Sequence, residues 1–146
     1  MALVDLLRNV EMFAGLSDEQ LELLADQFVE RTLERGDVLF KQGEQGDTMC
    51  LIQEGFLEVV FEPQDGAEKP LVRLGPGQSV GEMTLIDRGP RSATVWVISD
   101  TAAIASITRE SFEALCETNT DFGYRVMRNI AADLSFRMRF RDIRGI

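Results

Sequence analysis

The sequence predicts a mainly β domain with helices at both ends. Three observations carry the prediction. Residues 1–28 have helical periodicity, residues 29–108 break into short apolar runs between glycine-bearing turns, and residues 109–146 return to helical spacing. Short strands recurring every 8–12 residues or so belong to a barrel, a sandwich or a jelly roll. A chain of 146 residues suits a single domain with a real core, residues 1–146 throughout.

The elements follow in order. Ser17 and Gln20 stand at capping-box spacing, and Leu21, Leu24 and Phe28 then recur on one helical face. The apolar runs are Val38–Phe40, Met49–Ile52, Phe56–Phe61, Leu71–Leu74, Thr94–Ile98 and Ala103–Ile107. Phe56–Phe61 and Leu71–Leu74, joined by a long polar loop, read as a hairpin. Thr108 caps a short helix through Cys116, and Asn119 or Thr120 caps a longer one. That last helix carries two apolar faces. Met127, Ile130, Leu134 and Met138 form one; Phe136, Phe140 and Ile143 form the other.

Charge and composition exclude several function classes. There are 25 acidic residues against 15 basic ones and no histidine, a formal net charge of −10. Such acidity argues against a duplex nucleic-acid partner, whose affinity comes largely from Lys and Arg. Without histidine there is no imidazole metal ligand, catalytic pair or proton shuttle. A cupin-like metal enzyme on a similar β pattern is disfavoured for the same reason, and no enzyme activity or cofactor is expected. The acidity is uneven: residues 125–146 hold six arginines and two aspartates, a net of +4. No stretch suits a membrane span or a signal peptide. Cys50 and Cys116 lie far apart in apolar stretches and read as two buried free thiols of a cytosolic protein.

The chemistry concentrates in residues 80–95, Val-Gly-Glu-Met-Thr-Leu-Ile-Asp-Arg-Gly-Pro-Arg-Ser-Ala-Thr-Val. Gly81 permits a tight turn and close approach of a ligand. Glu82–Asp87 can form a turn or two of helix, stopped by Gly89-Pro90. A helix start offers free N–H groups to an anion. Arg91, opening the next strand, can fold back onto a phosphate. Glu82 beside a phosphate seat makes sense if it accepts hydrogen bonds from sugar hydroxyls. A small phosphorylated sugar satisfies both demands. The plainer alternative is a Glu82–Arg91 salt bridge that ties a loop to the barrel. Arg88 reads as a solvated loop charge, Met83 as a site or core residue, and Trp96 as core or rim packing.

This segment resembles the phosphate-binding cassette of the cyclic nucleotide-binding domain family, F-G-E-[LIM]-A-L followed by P-R-[AST]-A-[TS]-V. The glycine-punctuated run from Arg35 to Val59 is similar to the family's strands, and the likeness spans roughly residues 10–140. The resemblance implies a double-stranded β-helix, or jelly-roll β-roll, over 29–108, with N-terminal helices over 1–28 and C-terminal lid or dimerisation helices over 109–146. It implies that Gly81, Glu82, Met83 and Thr84 offer backbone N–H groups to a cyclic phosphate, and that Glu82 binds the ribose 2′-hydroxyl. Arg91 pairs with the phosphate, Ser92 and Ala93 follow it at the seat, and Val72 and Leu74 lie near the purine. Two positions depart from the pattern: Val80 replaces a Phe, and Thr84 replaces a small Ala. Ser92, shorter than the Thr associated with cyclic GMP, favours cyclic AMP. The expected activity is a sensor module that repositions its C-terminal helix on binding the nucleotide. Residues 120–146 are a candidate homodimer surface, and Arg137, Met138 or Arg139 a candidate purine contact. In catabolite-activator-type regulators a helix-turn-helix domain follows; none is expected within these residues. The rival reading is a ligand-free docking or dimerisation module on the same fold.

Overall fold

The structure is a computed structural model describing residues 2–143, with side chains described over 2–140. At the start, α1 (Leu3–Arg8), a 3-10 turn (Glu11–Phe13) and α2 (Asp18–Ala25) form the N-terminal helices. The capping box at α2 is complete. The Gln20 N–H donates to Ser17 Oγ at 3.1 Å, and the Ser17 N–H donates to Gln20 Oε1 at 2.9 Å. Removing such a cap costs about 1 kcal/mol.

Eight strands follow: β1 (Val29–Glu34), β2 (Val38–Phe40), β3 (Thr48–Glu54), β4 (Leu57–Phe61), β5 (Lys69–Leu74), β6 (Ser79–Val80), β7 (Thr94–Val97) and β8 (Thr101–Thr108). They make two four-stranded sheets, ordered β1-β8-β3-β6 and β2-β7-β4-β5, with antiparallel pairing throughout. This is the jelly-roll β-roll. β4 and β5 form the expected hairpin.

The pleat explains how β3 serves two cores. Met49 and Leu51 point to the helices, where they join Phe13, Leu21, Leu24, Ile107, Phe112, Phe122 and Val126. Cys50 and Ile52 point into the roll with Phe40, Leu57, Leu74, Val95, Val97 and Ile104. Successive strand residues face opposite ways, so a strand covered on both faces reads as a continuous apolar run.

α3 (Arg109–Thr118) starts at Thr108, whose hydroxyl accepts from the Ser111 N–H at 3.1 Å. α4 spans Thr120–Ile143. Its packed face is Phe122, Val126 and Ile130, which recur every four residues. Met127, expected beside Ile130, is instead exposed, as are Leu134, Phe136, Met138 and Phe140. Ile143's side chain and residues 144–146 lie outside the described residues. Asn129 ties the middle of α4 to the N-terminal 3-10 turn, donating to Met12 O at 3.0 Å and Ala14 O at 2.8 Å.

Two further expectations need correction. Arg91 does not open a strand, because its backbone bonds to the loop before β3: its N–H donates to Glu44 O and its carbonyl accepts from the Gly43 N–H. β7 begins at Thr94, three residues later. Cys50 is a buried free thiol, but Cys116, on a helix flank, is only half-buried. Trp96, half-buried and paired across to Val38 and Glu58, fits the core or rim reading.

Candidate functional site

β6 ends at Val80, and Gly81 turns the chain in the left-handed region at φ +84°. A Cβ there would stand 2.7 Å from Arg91 Nη1 and 2.9 Å from Thr48 O, so only glycine fits. A 3-10 turn over Glu82–Leu85 follows. Leu85 plugs into the helix-side core. Thr84 is buried, and its Oγ1 lies 2.8 Å from Gly81 O and 3.1 Å from Thr48 O. Its single hydrogen serves these carbonyls, which leaves a lone pair to accept from Arg91 Nη1 at 3.4 Å. The hydroxyl that distinguishes Thr84 from the family's Ala is therefore spent on the protein and on Arg91.

Arg91 is only 8 % exposed. Its Nη2 donates to Thr48 Oγ1 at 2.9 Å, and its guanidinium carbon lies 3.4 Å from the centroid of the Phe40 ring. Gly46 lies against the same guanidinium so closely that a Cβ there would collide with it. Burial lowers the Arg91 pKa from its ordinary value; Cys50, Asp47 and Glu44 act the other way. The side chain remains a cation. Among the described residues no ion pair includes it, and none joins it to Glu82. The internal salt-bridge reading is thereby overturned. Instead, one Glu82 carboxylate oxygen, Oε2, is buried without a hydrogen-bond partner.

These groups border a cavity of about 520 Å³, within the range of small-molecule sites. All ten residues singled out from the sequence line it: Val72, Leu74, Val80, Gly81, Glu82, Met83, Thr84, Arg91, Ser92 and Ala93. Phe40, Val59 and Val95 complete the apolar wall. Met83 is exposed and lies at the rim, which removes its core-filler reading. Arg88 is exposed, and Trp96 does not line the cavity. After Ala93, Thr94 fixes the entry to β7: its hydroxyl donates to Glu62 Oε2 and accepts from the Gln42 N–H, each at 3.0 Å.

A second, smaller groove of about 200 Å³ runs behind the 3-10 turn. Glu82, Met83 and Ile86 form one side, and Asn129, Ile130, Asp133, Leu134 and Arg137 of α4 another. Glu82 and Met83 thus border both spaces.

Sequence reasoning did not single out Phe40, Thr48, Gly46 or Arg109. Thr48 and Gly46 stand in the run that carried the resemblance, but only folding brings them to Arg91. Among the described residues, no group of three His, Cys, Asp or Glu side chains could hold a metal ion, and no helix is long and apolar enough to cross a membrane.

Comparison with known proteins matches this architecture. The family model for the cyclic nucleotide-binding domain covers residues 30–119. The chain is 33% identical over 137 residues to the cyclic AMP receptor protein of Thermus thermophilus, covering 94% of this chain and 61% of that one. It is 34% identical over 111 residues to the cAMP-dependent protein kinase type II regulatory subunit of Drosophila melanogaster, covering 76% of this chain and 29% of that one. Among solved structures, the N-terminal domain of a transcriptional regulator from Streptomyces coelicolor superposes with a TM-score of 0.86 at 30% identity, covering 97% and 96% of the two chains. The chain spans about three fifths or less of the length of these two curated relatives. The matched residues include the whole cassette and most of the roll, and the chain belongs to the cyclic nucleotide-binding domain family.

Proposed function

We propose that the cavity takes a cyclic nucleotide, cyclic AMP in preference to cyclic GMP, and that the chain is a regulatory module without catalytic activity. One observation carries this reading: Arg91 is a buried cation at an apolar-walled cavity, held by two threonine hydroxyls and a ring and, among the described residues, paired with no carboxylate. A small anion supplies the missing charge, and a charge-assisted bond is roughly twice as strong as a neutral one.

The remaining roles follow from position. The Glu82 and Met83 N–H groups open the 3-10 turn and face no backbone acceptor among the described residues, so they suit phosphate oxygens. The Thr84 N–H already donates to Gly81 O at 3.2 Å, and Thr84 acts instead through Arg91. Glu82, with its unpartnered oxygen, accepts from ribose. Val72, Leu74 and Val80 supply apolar contact to the base and sugar, and Ser92 and Ala93 close the rim. The relatives' names support a cyclic nucleotide but divide between the two, since cGMP-dependent protein kinases also match the chain, so the preference for cyclic AMP rests on Ser92.

Signalling would run through the groove that the 3-10 turn shares with α4. A nucleotide that draws on Glu82 and Met83 alters the surface on which α4 rests, and it shifts the helix only by its differential affinity for the two arrangements. The exposed apolar residues of α4 support homodimerisation through this helix, within residues 120–146. Two free thiols accord with a reducing compartment such as the cytosol.

Isothermal titration of the purified chain with cyclic AMP and cyclic GMP tests the reading. Saturable binding of both, tighter for cyclic AMP, is expected. If millimolar amounts of either give no heat and no thermal shift, the cavity is no nucleotide seat and the ligand-free docking module takes its place.

A further inference from the structure

Arg109 opens α3, and its hydrogen bonds all go to the two segments that frame the cavity. Its backbone N–H donates to Asp47 O at 2.6 Å. Its Nη1 donates to Thr84 O at 2.9 Å and lies 3.3 Å from both Gly46 O and Asp87 O. Thr84 lies in the second half of the 3-10 turn and Asp87 two residues past its end, where carbonyls are left without an intrahelical donor. Gly46 belongs to the loop packed against the Arg91 guanidinium. One nitrogen therefore joins the turn that presents the Glu82 and Met83 N–H groups to the loop that holds Arg91. Among the described residues no ion pair includes Arg109. Its donors go to carbonyls, so its role is geometric.

We infer that Arg109 is a positioning residue for the nucleotide seat: it sets the separation between the 3-10 turn and the Arg91 slot without itself lining the cavity. The inference rests on the proposed nucleotide reading for its effect on affinity, but the clamp itself is a property of the unliganded protein. Arg109 carries no part of the cassette pattern, and nothing in its local sequence marks it beyond the preceding cap, Thr108.

Two readouts separate positioning from general support of the fold. The first is amide hydrogen exchange of the unliganded protein, comparing residues 82–87 with the β8 ladder at 101–107. The second is titration with cyclic AMP. In Arg109→Met, exchange over 82–87 is expected to rise roughly tenfold while β8 changes little, and cyclic AMP affinity to fall roughly tenfold or more. Arg109→Lys places three donors on one nitrogen and is expected to recover most of both. Should Arg109→Met fail to fold, the milder Arg109→Gln is expected to show the same local pattern with smaller changes. Uniform loss of protection across 82–87 and β8 overturns the inference. So does a folded variant with affinity within about twofold of the parent. If the parent itself binds neither cyclic AMP nor cyclic GMP, the nucleotide reading fails, and the exchange pattern alone still decides whether Arg109 clamps the turn.

Discussion

The guanidinium carbon of Arg91 sits 3.4 Å from the centre of the Phe40 ring, so an aromatic face takes the place that a carboxylate would occupy in a structural ion pair. The ring attracts the cation by about 0.5–2 kcal/mol, more as water is excluded, and brings no negative charge of its own to pair with it. Arg91→Ala is expected to weaken cyclic AMP binding by one to two decades, the equivalent of a charged hydrogen bond. Phe40→Leu keeps the charge and loses the ring, so it is expected to cost less than one decade. Calorimetric affinities equal to the parent in Arg91→Ala would remove the phosphate role.

Gly81 and Gly36 both lie in the left-handed region, at φ +84° and +88°, but only Gly81 is crowded. Alanine at either position meets roughly 1–2 kcal/mol of backbone strain. At Gly81 the new methyl also meets Arg91 and Phe40, whereas at Gly36 it meets nothing within 4 Å. Both variants should lose thermal stability. Nucleotide binding should collapse in Gly81→Ala and persist in Gly36→Ala.

Thr84→Ala restores the small residue of the family pattern but removes a buried hydroxyl that bonds Gly81 O and Thr48 O and receives Arg91. Loss of about 1 kcal/mol is expected, seen as a fall of about 2–4 °C in Tm. Arg91 keeps its bond to Thr48, so affinity should change far less than in Arg91→Ala. A larger effect on binding than on Tm would assign Thr84 a direct ligand contact.

Cys50 brings a pH dependence. Its thiol is pushed from an ordinary 9.0 up to about 11, chiefly by burial, with Arg91 and Arg31 pulling the other way. The folded state thus holds the proton more tightly than the unfolded chain. Its contribution to stability is complete below about pH 9 and is lost as pH rises through about 11, at most about 2–3 kcal/mol. Tm measured from pH 8 to 11 should fall more steeply in the parent than in Cys50→Ala. Identical slopes would show that Cys50 does not carry the effect.

Phe136 and Phe140 pack tilted against each other on the exposed side of α4, ring centroids 4.3 Å apart. If this helix pairs two copies, sedimentation should show a concentration-dependent dimer that Phe136→Glu shifts to monomer without altering the parent's Tm at low concentration. A monomer at every concentration in the parent removes the dimer proposal.

Local rules were enough to read much of this molecule from its residues. The Ser17–Gln20 box, the Thr108 cap, six of the eight strands and the β4–β5 hairpin all arise from side chains a few positions apart. Two strands escaped for physical reasons. β1 is exposed along most of its length and charged at half of its positions, and β6 has two residues, too few to show a period. The ten cavity residues were legible because most of them form one continuous cassette.

What tertiary structure alone decided is how that cassette is held. Thr48 reaches Arg91 across 43 positions, and Arg109 reaches Gly46 across 63. The register of β3 against β8 and the turn at Gly81 bring them together. Glu82 and Arg91, nine positions apart and of opposite charge, read as a pair in the sequence, but the fold gives Arg91 two hydroxyls and a ring and leaves a Glu82 oxygen unpartnered. Periodicity and turn chemistry act over about ten residues, whereas partner choice for a buried charge depends on which strands lie side by side.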